Sequence, residues 1–315
     1  MHYDIAFVGL GSIGTRHLRN VCALLDKWND TYTIDLYRSS IGKMMPDDIA
    51  CLVSNEYLFS AELPAQVNYD IVFVTNPTAL HYDTLLKFKD NTKSFFIEKP
   101  IFNTTEVDTD IWDKLKDVTC YVACPLRYNP VLQYIKKNVQ LKKVISARAI
   151  SSSYLPDWRP GQDYRVSYSA HRDMGGGVGI DLIHEWDYLT MFFGVPEMCY
   201  SIQDKISPLE IDSDDIAIYI AKTRSTTVEL HLDYFGRESI RTLDLFLPED
   251  TLHCDILNGS VEYMSSGEIL NFNGDRNAFQ LLEIEHFFDI INHKIENDST
   301  AEHAFAVLKL AKGEL

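Results

Sequence analysis

Asp4-Ile5-Ala6-Phe7-Val8-Gly9-Leu10-Gly11-Ser12-Ile13-Gly14 is the stretch that decides the fold. A short apolar run ends in glycine, and from Ser12 to Leu25 apolar residues recur at helical spacing. The order is strand, glycine turn, helix. In that context Gly9 permits the tight turn, Gly11 lets a pyrophosphate approach the backbone, and Gly14 lets the helix pack close to the strand. The helix start at Ser12 and Ile13 offers unpaired N–H groups and a partial positive charge to phosphates. Other α/β proteins also carry glycine turns. Placement within the first thirty residues, followed by a second strand, favours dinucleotide binding.

Working outward, apolar runs at 32–37, 70–75, 94–97 and 119–123 read as strands, with helices at 79–88 and 106–116 between them. Strands alternating with helices predict a doubly wound parallel sheet, a Rossmann domain over residues 1–123. From about residue 124 the texture changes. A helix at 130–138 and a strand at 143–153 precede segments 199–206, 215–222, 226–235, 239–247 and 251–264, which alternate apolar and polar residues as an open antiparallel sheet does. Helical cover for that sheet is expected from 178–193 and 277–293. The fold class is therefore α/β, with an α/β domain over 124–315 following the first and a closing helix at 300–310 able to return to it.

The 315 residues carry 46 Asp plus Glu against 29 Lys plus Arg, a net charge of −17. Such a field repels nucleic acid and anionic membrane, so a small molecule is the expected partner, and any anionic ligand needs a local cluster of Arg, Lys and N–H groups. The six cysteines show no C-x-x-C and no zinc-type spacing, no metal site is expected, and no signal peptide or membrane span is visible. The expectation is a cytoplasmic protein. The second strand places Asp35 mid-strand and ends in Tyr37-Arg38-Ser39-Ser40. A guanidinium with two hydroxyls suits a 2′-phosphate, so the cofactor reading is NAD or NADP, leaning to NADP; Arg38 stacking on adenine or facing solvent is the bland alternative.

Further motifs follow in order: Thr75-Asn76-Pro77-Thr78-Ala79-Leu80-His81 after a strand, Glu98-Lys99-Pro100 after another, then Gly175-Gly176-Gly177-Val178-Gly179-Ile180-Asp181. With the glycine turn, this order resembles the glucose-fructose oxidoreductase, inositol dehydrogenase and rhizopine-catabolism (Gfo/Idh/MocA) family. The resemblance implies oxidoreduction of a sugar or polyol by a nicotinamide cofactor. It also implies a homo-oligomer, dimer or tetramer, through the open sheet. It places Thr75, Asn76, Pro77, His81, Glu98, Lys99 and Arg127 beside the cofactor; bracing the joint between the domains fits Arg127 equally well. Chemically, Lys99 follows a parallel strand and so lies at the carboxyl edge of the sheet, where its ammonium can bond the reacting oxygen while Pro100 stiffens its backbone. Asp181 and His184, three apart, are the candidate acid-base pair, with His184 first choice as base and Asp181 its alternative or partner. The family's usual spacing is four, so one residue is missing between them.

The stretch Tyr154 to Arg172 is too long for a plain turn. Tyr154, Trp158 and Tyr164 offer stacking faces for a sugar ring, and Arg165 and Arg172 offer bidentate contacts to a carboxylate or phosphate, alongside Lys99, Asp181 and His184. A loop packing on its own aromatics fits as well. Its Tyr-Leu-Pro-x-Trp segment resembles relatives from surface-polysaccharide and nonulosonate pathways, which implies an activated or acidic sugar. Two other functions share the fold: a non-catalytic dinucleotide-binding sensor, and a glycoside-cleaving enzyme using NAD.

Overall fold

The computed structural model describes residues 1–314, apart from the Arg276 side chain. It contains two compact units, Met1–Pro125 with Arg276–Phe305, and Leu126–Asp275 with the residues after Phe305.

In the first unit β1 (His2–Val8), α1 (Ser12–Trp28), β2 (Thr31–Arg38), α2 (Asp47–Ala50), β3 (Asn55–Leu58), β4 (Ile71–Val74), α3 (His81–Phe88), β5 (Ser94–Ile97), α4 (Ile111–Leu115) and β6 (Thr119–Val122) follow in sequence. The strands form one parallel sheet in the order β3-β2-β1-β4-β5-β6. The chain reverses direction across the sheet between β1 and β4, where such folds bind ligands at the carboxyl ends of the strands. Strands β4 and β5 are buried throughout, which is why they read as unbroken apolar runs and not as alternation. Phe7 stacks on Phe73 at 4.5 Å, and Phe73 meets Phe96 at 4.9 Å, joining the central strands beneath α1.

The second unit runs α5 (Pro130–Asn138), β7 (Ser146–Tyr154), α6 (Val178–Asp181), α7 (His184–Phe193), β8 (Met198–Asp204), β9 (Ile216–Lys222), β10 (Thr227–Asp233), β11 (Phe235–Phe246), β12 (Thr251–Asp255), β13 (Ser260–Tyr263) and β14 (Glu268–Asn271). Its sheet order is β14-β13-β12-β11-β7-β10-β9-β8, antiparallel except where β7 lies parallel to β10. One face buries Ala147, Ala149, Leu230, Leu232, Tyr219 and Leu243, and Trp186 of α7 packs edge-on to Tyr219 at 5.2 Å. The opposite face alternates polar and apolar side chains and leaves Tyr200, Ile202 and Ile220 exposed.

Finally α8 (Arg276–Ile291) belongs to the first unit, and α9 (Ala301–Ala311) gives its residues up to Phe305 to the first unit and the rest to the second. The α8 helix, expected over the antiparallel sheet, instead sets Ile284, Phe287 and Phe288 into the core of the parallel one. Helical spacing declares a buried stripe but not the surface that buries it. The division 1–123 and 124–315 therefore differs from the observed units through this return of the chain. Two helices are also shorter than their spacing suggests. Only Ile111–Leu115 of 106–116 is helical, because the Thr104 hydroxyl and the Asp108 carboxylate bond the N–H groups of Glu106 and Asp110 and compete with the helix. The 178–193 helix breaks after Asp181, and 251–264 is a hairpin, not one strand. Strands β3 and β14 carry no apolar pattern that would have announced them.

Candidate active site

The glycine turn is built by its neighbours. Gly9 has φ of 95°, and a β-carbon there would come within 2.7 Å of the Asn76 backbone. One on Gly14 would come equally close to the Gly9 carbonyl and the Thr75 hydroxyl. Thr75 donates to the carbonyl of Gly9 at 2.8 Å and so closes the turn. Gly11 differs, because a β-carbon on it would meet nothing within 4 Å. The fold therefore does not require glycine at 11, and the space beside it is open to a ligand. Gly11 begins α1 with no side-chain cap, and the first turn of α1 has no acidic residue, which leaves its N–H groups and partial positive charge for an anion. Ser12 is exposed and Ile13 half-buried at that terminus. A dinucleotide pyrophosphate fits this end, held by the backbone from Gly11 to Gly14.

Beyond the turn, Asn76 donates to Thr84 at 2.8 Å and its amide oxygen is buried without a hydrogen-bond partner, a feature a cofactor amide or hydroxyl would satisfy. Pro77 leads into a tight helical turn at Thr78–Leu80. His81, expected at the cofactor, is instead buried, its ring nitrogens 3.1 Å from the carbonyl oxygens of Ile101 and Asn76, and burial holds its pKa below the ordinary value. It braces the strand end. Asp35 is also internal, accepting from Asn55 and Tyr69 at 2.8 Å each. Ser39 is exposed at the end of β2. Arg38, read from the sequence as a 2′-phosphate ligand, bonds Glu56 at 2.7 Å and the Lys43 carbonyl at 2.8 Å.

Lys99 follows β5, at the same carboxyl edge as the glycine turn after β1, and its peptide bond to Pro100 is cis. Glu98 is not a free acid. One oxygen lies 2.5 Å from Nε2 of the buried His17 on α1, and the other accepts from the Lys99 N–H at 3.2 Å. Burial pushes the Glu98 pKa up, but the His17 bond and the neighbouring His17, Lys99 and His81 charges outweigh it and hold the carboxyl below its ordinary value. The glycine helix and the lysine motif are thus tied through one buried pair.

In the second unit Gly177, with φ of 138°, turns the chain into α6. Asp181 ends that helix, largely buried, and accepts from the Tyr234 hydroxyl at 2.6 Å. Burial, together with this carboxylate, raises the pKa of Tyr234 and of Tyr168. Because the helix breaks at Leu182, Asp181 and His184 do not share a continuous helical face. Residues 185–190 are all buried, so His184 is the half-exposed position in the first two turns of α7. Two acids of that helix are engaged by arginine, Glu185 by Arg241 at 2.8 Å and Asp187 by Arg127 in a two-pronged pair at 2.6 Å. Arg127, expected beside the nicotinamide, thus braces α7.

The long loop divides likewise. Trp158 donates to Ser153 at 2.9 Å and packs edge-on to Tyr234, next to the Asp181 cluster. Arg165 is paired with Asp163 and Glu210, and Arg172 with Asp214, so the two expected anion ligands are neutralised. Two other arginines have no carboxylate partner among the described residues. Arg159 lies 5.8 Å over the Tyr168 ring, and Arg237 lies 3.9 Å over Tyr154. Tyr154, Tyr164, Phe235 and Arg237 line a concavity of about 400 Å³. No cluster of metal-ligating side chains occurs among the described residues, nor any helix long and apolar enough to cross a membrane. Tyr234, Tyr168, Glu56, Arg159 and Arg237 were missed from the sequence, where no motif marks them.

Residues 3–124 match the model of the GFO_IDH_MocA oxidoreductase family, NAD-binding Rossmann fold. The scyllo-inositol 2-dehydrogenase (NAD(+)) of Bacillus subtilis (strain 168) is 25% identical over 128 residues, 40% of this chain; the match spans about a third of that enzyme, 35% of its length. Among solved structures, UDP-N-acetylglucosamine 3-dehydrogenase GnnA from Acidithiobacillus ferrooxidans superposes with a TM-score of 0.75 at 17% identity, covering 99% of this chain and 96% of that one. Levoglucosan dehydrogenase in complex with NADH and levoglucosan gives 0.79 at 15% identity, covering 100% and 98%. At these identities the superpositions establish the shared fold.

Proposed function

Because residues 3–124 match the NAD-binding Rossmann fold of the Gfo/Idh/MocA oxidoreductases, we propose that this protein is a dehydrogenase moving hydride between a nicotinamide cofactor and a hydroxyl-bearing carbon of a sugar or sugar derivative. The observation that carries the reading is the coincidence, at one edge of the parallel sheet, of an uncapped glycine-entered helix and Lys99. The bound cofactor would supply the hydride acceptor. The chain's own residues do the rest. The Lys99 ammonium hydrogen-bonds the reacting oxygen and stabilises charge developing on it, and His184, half-exposed on an otherwise buried turn, takes the hydroxyl proton. Asp181, held by the Tyr234 hydroxyl, is the alternative base.

The substrate class is a sugar derivative, an activated or acidic one by the loop resemblance. The proteins of similar fold named above act on a nucleotide sugar and an anhydrosugar, and Arg159 and Arg237 supply the charge an acidic sugar needs. The exposed Tyr200, Ile202 and Ile220 on the open sheet face support assembly into a homo-oligomer there. The six free cysteines fit a reducing, cytoplasmic setting. An absorbance screen at the NADH band with neutral sugars, uronic acids and nucleotide sugars tests the function. Turnover that disappears in Lys99→Ala supports it; binding of dinucleotide with no turnover of any sugar favours the sensor reading.

A further inference from the structure

We propose that Glu56 sets the cofactor preference of this protein, holding Arg38 so that NAD is accepted and NADP refused. The proposal rests on the glycine turn being the dinucleotide site. Arg38 ends β2, the strand whose carboxyl end lies beside the adenosine ribose in folds of this kind. A free guanidinium there would attract a 2′-phosphate. This one is not free: its Nη1 donates to Glu56 Oε1 at 2.7 Å and to the Lys43 carbonyl at 2.8 Å, and its side chain is only 9% exposed. The second Glu56 oxygen accepts from the Gly42 N–H at 3.4 Å. Glu56 comes from β3, which pairs with β2 in register, so the carboxylate is fixed by the sheet as well as by its partners.

The consequence is electrostatic. A 2′-phosphate reaching this end meets the neutral Arg38–Glu56 pair, so it gains no net attraction from Arg38, and the carboxylate half of that pair carries a like charge. The ribose 2′-hydroxyl of NAD carries no charge to be repelled and can donate to a carboxylate. The Ser39–Lys43 segment that would have to part to release Arg38 is itself anchored on the pair through Gly42 and Lys43. Glu56 is thus the residue that turns an apparent phosphate ligand into a structural cation.

Fluorescence titration of NADH and NADPH, without substrate, tests this on the wild type, Glu56→Gln, Arg38→Ala and the double variant, each checked for folding by thermal melt. The wild type is expected to bind NADH at least about tenfold more tightly than NADPH. Glu56→Gln is expected to raise NADPH affinity by about tenfold, the range of one released charge-assisted contact, with NADH changed less than about threefold. The double variant should lose that gain. Preference of the wild type for NADPH, an unchanged ratio in Glu56→Gln, or a retained NADPH gain in the double variant would each overturn the proposal. Failure of the wild type to bind either nucleotide would overturn the dinucleotide reading and this proposal with it.

Discussion

At Gly11 the fold leaves room that it does not itself use. Gly11→Val is therefore expected to melt within a few degrees of the wild type and to lose dinucleotide binding, read by fluorescence titration beside a thermal scan. A parallel fall in both would show that residue 11 is structural. Lys99→Ala and His184→Ala are each expected to lower turnover by about 10²- to 10⁴-fold with nucleotide affinity barely moved, and the double variant should be little worse than either. A dead Asp181→Ala beside a near-normal His184→Ala would move the base to Asp181. Glu98 gives a pH dependence. Its folded pKa lies below the ordinary carboxylate value, so its contribution to stability is complete above that value and disappears as pH falls through the folded pKa. The stability difference between wild type and Glu98→Gln should be full near about pH 6 and shrink below about pH 4.5, measured by denaturant titration at each pH. Lys99, Asp181 and His184 were chosen as candidates from motif order. The partners that decide what each titrating group does, His17 and Tyr234, come from distant positions and were not.

At the scale of elements, α7 is a buried helix that carries acids, which is tolerated only because each acid has an arginine. Removing Arg127 leaves Asp187 buried without that partner, and Arg127→Ala is expected to cost about 3 to 5 kcal/mol in denaturant unfolding. A loss of nucleotide affinity without a loss of stability would instead restore Arg127 to the cofactor. The glycine-to-helix step of β1 and α1 was readable because strand, turn and helix chemistry lie in one contiguous stretch. The break between α6 and α7 was not, because Leu182 and Ile183 continue the apolar pattern through it. The edge strand β3 was missed for the opposite reason: Asn55-Glu56-Tyr57-Leu58 has no buried face to declare, and it is a strand because β2 pairs with it.

For the whole molecule, the net charge of −17 sets long-range repulsion against anions, and eight arginines are paired with carboxylates among the described residues. The apolar patch on the open sheet is the face proposed for self-assembly. Tyr200→Asp combined with Ile220→Asp is expected to reduce the assembled species to monomer in light scattering, with the melting temperature of each unit retained; an unchanged mass would exclude this face as the interface.

The sequence by itself determined the two kinds of sheet, the glycine turn, the order of the motifs and the residue types at the site, because period, turn chemistry and helix entry are properties of neighbouring residues. Tertiary structure alone decided which sheet α8 covers, which arginines are neutralised and which carboxylates are held. Arg38, Arg127, Arg165 and Arg172 all read as candidate ligands from composition and place. Their charge was assigned by Glu56, Asp187, Asp163 with Glu210, and Asp214, and most of those partners lie far along the chain, where only folding brings opposite charges within hydrogen-bond distance.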